Sequence, residues 1–224
     1  CALSLLAVLF WIKEPKESSG KKQRLRDYSR KLGDIFRGKG RWLVTSFFAG
    51  SLGLFTLFGI LFYLSEILEE KPYNLDGVVK GLVLAIPLAG LVITSYTTGA
   101  LIKKNGTLIR WLINIGLALS TLSLALTPVW NKDHLVLFMT LITLSSVGTG
   151  LLLPCLNTMI TGSVRKSQRG MIASIYNSLR FLGVAAGPPL IGMMMEKHEK
   201  SVFIALAALA GLAFVLVLFL VRPK

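Results

Sequence analysis

A chain of 224 residues that is 53% hydrophobic and only 16% charged, with a mean hydropathy of +0.66, is too apolar for a soluble domain. Its net charge of +14 would suit nucleic acid, but the basic residues sit in clusters between long apolar runs, which excludes that surface and points to a polytopic membrane protein. The two cysteines, Cys1 and Cys155, both lie in apolar stretches and form neither a disulfide framework nor a metal set, and no nucleophile–base–acid constellation is spaced for catalysis. No enzymatic activity, metal or organic cofactor is expected.

In chain order, Cys1–Ile12 is apolar. As a helix it reaches only ~18 Å against a hydrocarbon core of ~30 Å. It is read as the end of a truncated span, and the sequence as a fragment. Lys13–Arg41 carries eleven Lys/Arg against four acids. Within it Leu25, Tyr28, Leu32, Ile35 and Phe36 fall near helical spacing, so a basic amphipathic helix on anionic lipid headgroups is expected, with a solvated linker helix as the competing reading.

Six full-length apolar runs follow: Trp42–Ser65, Gly81–Ile102, Trp111–Asn131, Leu135–Val164, Gly170–Met195 and Ser201–Val221. Each exceeds the ~18 residues needed to cross a bilayer. The fourth is longer than needed, and its helix is expected to stop near Thr161-Gly162. Nineteen Lys/Arg fall on one side of these spans and five, accompanied by seven acids, on the other. The positive-inside rule therefore places the 13–41 segment, the two short basic loops and the C-terminal tail (222–224) in the cytoplasm. Trp11, Trp42, Trp111 and Trp130 all fall at span ends, as an aromatic belt requires.

Within these spans one charge stands out. Arg180 lies ten residues into Gly170–Met195, ~15 Å deep, and an intramembrane charge is a functional candidate by default. No Asp, Glu or His lies inside any of the six runs, so its partner must be a carbonyl, water, an acid elsewhere or a substrate. Asn177 shares its face three residues away, and Asn157 lies in the preceding span; transport pathway or coupling is expected of all three, with helix-to-helix hydrogen bonding as the alternative. Ser51, Phe55, Phe58 and Phe62 recur at helical spacing, which suits a substrate pocket for lipophilic molecules, although packing explains such stripes too. Gly183, Gly187, Pro188, Pro189 and Gly192 predict close helix approach and a bend. An alternately exposed titratable group of the kind proton coupling needs is absent from these runs.

The order of elements resembles the second half of a major facilitator superfamily transporter: the end of span six, a central cytoplasmic loop, then spans seven to twelve. Gly99-Ala100-Leu101-Ile102-Lys103-Lys104-Asn105-Gly106 resembles the family's G-x-x-x-D-R-x-G loop, with both glycines matching, Lys104 for the arginine and Lys103 in place of the aspartate. Gly183-x-x-x-Gly187-Pro188 with Gly192 resembles the G-x-x-x-G-P-x-x-G-G antiporter motif, here in span eleven, with Ile191 departing from it. The resemblance implies an all-α membrane protein, one six-helix half (a 3+3 inverted repeat) of a rocking transporter in the bacterial cytoplasmic membrane. Together the motifs resemble the drug:proton antiporter branch, which further implies proton-coupled efflux of drugs or other small lipophilic molecules, a missing N-terminal six-span half as partner that carries the proton-binding acid, spans seven, eight, ten and eleven facing the cavity, and Gly99, Lys103, Lys104 and Gly106 in a cytoplasmic gate loop. An importer or metabolite exporter of the same superfamily, and a non-transporting membrane scaffold, stay open as alternatives.

Overall fold

The computed structural model describes residues 25–102, 105–129 and 135–220. The expectations for Cys1–Ile12, the start of the basic segment and the C-terminal tail lie outside them. The described residues are helical, with no strand among them: α1 (Leu25–Glu69), α2 (Gly77–Leu101), α3 (Gly106–Leu126), α4 (Leu135–Gly162) and α5 (Arg169–Leu220). Short 3-10 turns at Thr127–Val129 and Lys166–Gln168 follow α3 and precede α5. Contacts divide the chain at Gly40, and the bundle is the unit that begins at Arg41.

Six stretches are long and apolar enough to cross a membrane, namely 40–69, 77–101, 106–129, 135–162, 166–195 and 199–220. α4 ends at Gly162, where a residue without a Cβ and the polar Ser163–Arg169 stretch stop the apolar run. Two features differ from the sequence expectation. α1 continues four residues past Ser65 and takes in Glu66 and Glu69 at its end. Leu64, Ile67 and Leu68 are buried there and hold that turn in the core. The last two spans, 166–195 and 199–220, are separate as expected, but helical backbone runs on between them through Glu196–Lys200, which contains no glycine or proline.

Their contacts nonetheless run in opposite directions. Gly183, Gly187 and Gly192 meet Ser51, Phe55 and Phe62 in rising order, so 166–195 runs parallel to α1. Phe203 meets Tyr63 near one end of the bundle, while Leu218 meets Arg110 at the other. The second span therefore returns alongside α3. This alternation sets Asn105 and the loop at 163–168 on one face and the loop at 70–76 on the other.

The main apolar core lies towards the latter face. There Phe203 packs edge-on against Tyr63 and Phe138, at 6.3 and 6.0 Å between ring centroids, surrounded by Ile60, Leu64, Leu68, Leu124, Ile142, Ile191 and Leu206. Tyr73 and Leu75 of the connecting loop close over it, and Leu75 N–H donates to Leu68 O at 2.7 Å. An ion pair of Lys80 with Glu69 ties α2 to the end of α1. At the centre, α3 and α4 approach closely: a Cβ on Gly116 would lie 2.5 Å from Gly148 O, and Ser120 donates to Ser145 O at 3.2 Å. Small residues at such points let backbones meet, which is how helices gain van der Waals contact in lipid. α2 packs mainly on α4 and leaves most of its apolar side chains exposed, Val78, Leu82, Val92, Ile93 and Tyr96 among them.

Candidate functional site: the crossing of α1 and α5

Midway along the bundle, α1 and the first half of α5 come together with almost no side-chain spacing. A Cβ on Gly183 would lie 2.6 Å from Ser51 O, and one on Gly187 would lie 2.5 Å from Phe55 O and 3.1 Å from Gly59 N. Neither contact is tolerable for any residue but glycine without moving a backbone. The Ser51 hydroxyl donates to Leu179 O at 2.8 Å, bridging the two helices where their backbones are nearest. Helical backbone continues through Pro188 and Pro189, which follow directly on the closest approach.

One turn before that contact lies the only charge within 170–195. Arg180 is half-buried; its guanidinium sits 5.2 Å from the centroid of the Tyr176 ring, and Nη1 donates to Asn177 Oδ1 at 3.4 Å. Tyr176 is fully buried, stacked on Phe47 of α1 at 5.6 Å. Gly50 of α1 also lies against this ring, where a Cβ would come within 2.7 Å of Tyr176 Cε2. Phe47 and Arg180 thus both pack on Tyr176, whose negative ring face attracts the cation. Among the described residues Arg180 makes no ion pair, and its Nε and the Tyr176 hydroxyl are buried with no hydrogen-bond partner. Two buried groups able to donate and left without acceptors form a locus that favours an incoming negative or acceptor group.

Sequence similarity places the chain in a known family. Residues 69–224 match the Major Facilitator Superfamily model. The chain belongs to that superfamily. It is 40% identical to the Bacillibactin exporter of Bacillus subtilis (strain 168) over 198 residues, covering 88% of this chain and 48% of the exporter. It is 29% identical over 163 residues to the Multidrug efflux protein YfmO of the same organism, covering 73% of this chain and 39% of that protein. The chain spans about half the length of the exporter, and less of YfmO. It is thus a multi-pass membrane protein of a transporter superfamily with exporters among its relatives.

Against this superfamily frame the sequence-marked residues separate. Asn177 and Arg180 come together. Asn157 is exposed on α4 and makes no side-chain hydrogen bond to a described residue; only its carbonyl is used, by Thr161 Oγ1 at 2.7 Å. Most of the Ser51–Phe62 stripe faces α5: Ser51 and Phe55 lie at the glycine contacts and Phe62 lies over Gly192, whereas Phe58 packs half-buried on the cluster of Leu54, Leu57, Leu61 and Leu153. In the short basic loop, Gly99 is exposed in open space and Gly106 begins α3, whose first turn is capped by Asn105 Oδ1 accepting from Leu108 N–H at 3.4 Å. Lys103 and Lys104 lie outside the described residues. Among the described residues no three His, Cys, Asp or Glu side chains gather as a metal site.

Tyr176 is the residue that sequence reasoning missed. Its signal was present as the four-residue spacing to Arg180, which stacks the two side chains on one helix face.

Proposed function

We propose that this chain is the C-terminal half of a secondary active exporter that moves small lipophilic molecules, drugs among them, out of a bacterial cell by alternating access in exchange for protons. The observation that carries the reading is the Arg180–Tyr176–Phe47 cluster, a cation one turn from the backbone crossing of α1 and α5 with no acid beside it among the described residues. Holding a charge there costs ~2.5–3.5 kcal/mol on insertion scales, and a task in the transport cycle accounts for its presence. The export names of the two relatives support the direction of transport.

In this reading residues 42–221 form the six-span bundle, 13–41 the central cytoplasmic loop on anionic lipid, and 222–224 a cytoplasmic tail. α1 and the first half of α5 pivot as one unit about Gly183 and Gly187. Arg180 alternates between the carbonyl- and amide-lined crossing and an acceptor on a facing half or on the cargo. The short loop with Gly99, Lys103, Lys104 and Gly106 closes the cytoplasmic gate, while Asn157, Phe58 and Phe62 line the cavity. The proton is carried by a carboxylate outside this chain.

The test expresses the full-length open reading frame carrying this chain in an efflux-deficient host and follows export of a lipophilic dye, with and without a protonophore. Wild type exports the dye only while the proton gradient stands. Arg180→Ala, at wild-type abundance in the membrane, loses export. Normal protonophore-sensitive export by Arg180→Ala would overturn the proposal.

A further inference from the structure

A second site lies away from that crossing, on the outer flank of the bundle between the start of α3 and the end of α5. A groove of about 550 Å³ opens there, within the ~300–1,000 Å³ range of small-molecule sites. It is graded along its length. At the end nearest the 103–105 loop stand Arg110, Trp111 and Asn114, whereas Ile115, Phe214 and Leu218 make its wall apolar. From Arg110 to the deepest lining residue of α3, Ala118, is eight residues, ~12 Å of helix, close to the ~15 Å depth of one leaflet. Trp111 is 64% and Ile115 49% exposed, so the groove opens sideways, away from the core.

Its polar end is built from specific side chains. Arg110 Nη2 donates to Leu218 O at 2.9 Å, which pins the guanidinium across the mouth between the two helices and leaves its other N–H groups for a ligand. Asn114 Nδ2 donates to Arg110 O at 2.9 Å, while its Oδ1 is buried with no partner among the described residues. No Asp or Glu occurs in 103–118 or 201–224, whereas Lys103, Lys104, Arg222 and Lys224 flank the same ends in sequence.

From this we infer that the groove holds one anionic phospholipid with a hydroxylated headgroup, of the phosphatidylglycerol type. Its phosphate meets Arg110, a headgroup hydroxyl donates to Asn114 Oδ1, and one acyl chain runs along Ile115, Phe214 and Leu218. Basic pockets between membrane helices at a positively flanked face recognise such headgroups. A zwitterionic choline lipid offers neither the net charge nor the hydroxyl donor. The inference is independent of the transport reading, since the groove lies on the far side of α3 from α4 and shares no residue with Arg180.

The test uses the full-length protein in nanodiscs of equal phosphatidylglycerol and phosphatidylcholine with identical chains, one lipid at a time carrying bromine. The fluorescence difference between wild type and Trp111→Phe isolates quenching at the groove. Association of phosphatidylglycerol at Trp111 should exceed that of phosphatidylcholine about fivefold, the effect of one basic residue near the surface. Arg110→Gln should abolish that preference, and Lys103→Gln/Lys104→Gln should retain it. Equal quenching by both lipids in wild type overturns the inference, as does a preference that survives Arg110→Gln. The wild-type comparison needs no substitution, so the inference stays refutable even if Arg110→Gln does not fold.

Discussion

Gly187→Ala adds one methyl group at the point where α5 rests on α1. That methyl would sit 2.5 Å from Phe55 O and 3.1 Å from Gly59 N. Taking a carbon–oxygen contact of ~3.3 Å, the helices must part by roughly 0.8 Å. Separation on that scale also stretches the Ser51–Leu179 hydrogen bond and the Gly183–Ser51 contact, two and one turns away. Overpacking of a close contact costs about 1–3 kcal/mol, while alanine for glycine in a helix gains up to ~1 kcal/mol of propensity. Gly99→Ala isolates the propensity gain, because Gly99 is helical and nothing lies within 4 Å of its would-be Cβ. Thermal unfolding of the two variants in one detergent should therefore place Gly187→Ala below Gly99→Ala by the whole overpacking cost. Equal unfolding temperatures for the two would refute the claim that this crossing is at backbone contact.

Tyr176→Phe should unfold at or above the wild-type temperature, since it deletes a buried hydroxyl that no described residue partners; lost export in that variant would then mark the hydroxyl as part of the cycle. Tyr176→Ala should instead cost about 3–5 kcal/mol by opening a cavity between Phe47 and Arg180, read as a large drop in the same thermal assay. Ser51→Ala removes a single interhelical hydrogen bond and should cost only ~0.6 kcal/mol, with export retained. Glu66→Gln with Glu69→Gln should leave proton-driven export intact, because both acids end α1 in the loop-facing turn and not at mid-membrane; an uncoupled variant would move the proton carrier into this chain.

Much of the fold was legible because lipid imposes one strong rule: apolar length. The runs around Phe47, Ile93, Leu117, Ser146, Gly183 and Leu212 are each long enough to cross, and charge between them marks the turns. What was not legible depends on which helix neighbours which. Ser51, Phe55 and Phe62 read as a pocket wall, yet they face Gly183, Gly187 and Gly192, a pairing set by complementary small and large surfaces on helices over a hundred residues apart. Tyr176 looked like one more aromatic in an apolar run, because nothing local reveals that Phe47 stacks on it. Polarity at Glu196–Lys200 marked the turn between the last two spans correctly, but not the helical backbone kept through it, although these residues are helix formers. Likewise the Arg110–Leu218 groove exists only once the last span returns beside α3.

The account stands on six membrane crossings with the basic turns inside the cell, and single-cysteine labelling tests it most directly. In the full-length protein with its native cysteines replaced, a cysteine at Asn74 and another at Ser167 are exposed in loops on opposite faces of the bundle. With a membrane-impermeant maleimide, intact cells should label position 74 at once and position 167 only after permeabilisation. Labelling of position 167 in intact cells, or of neither position until the membrane is dissolved, would contradict the orientation and with it the export reading.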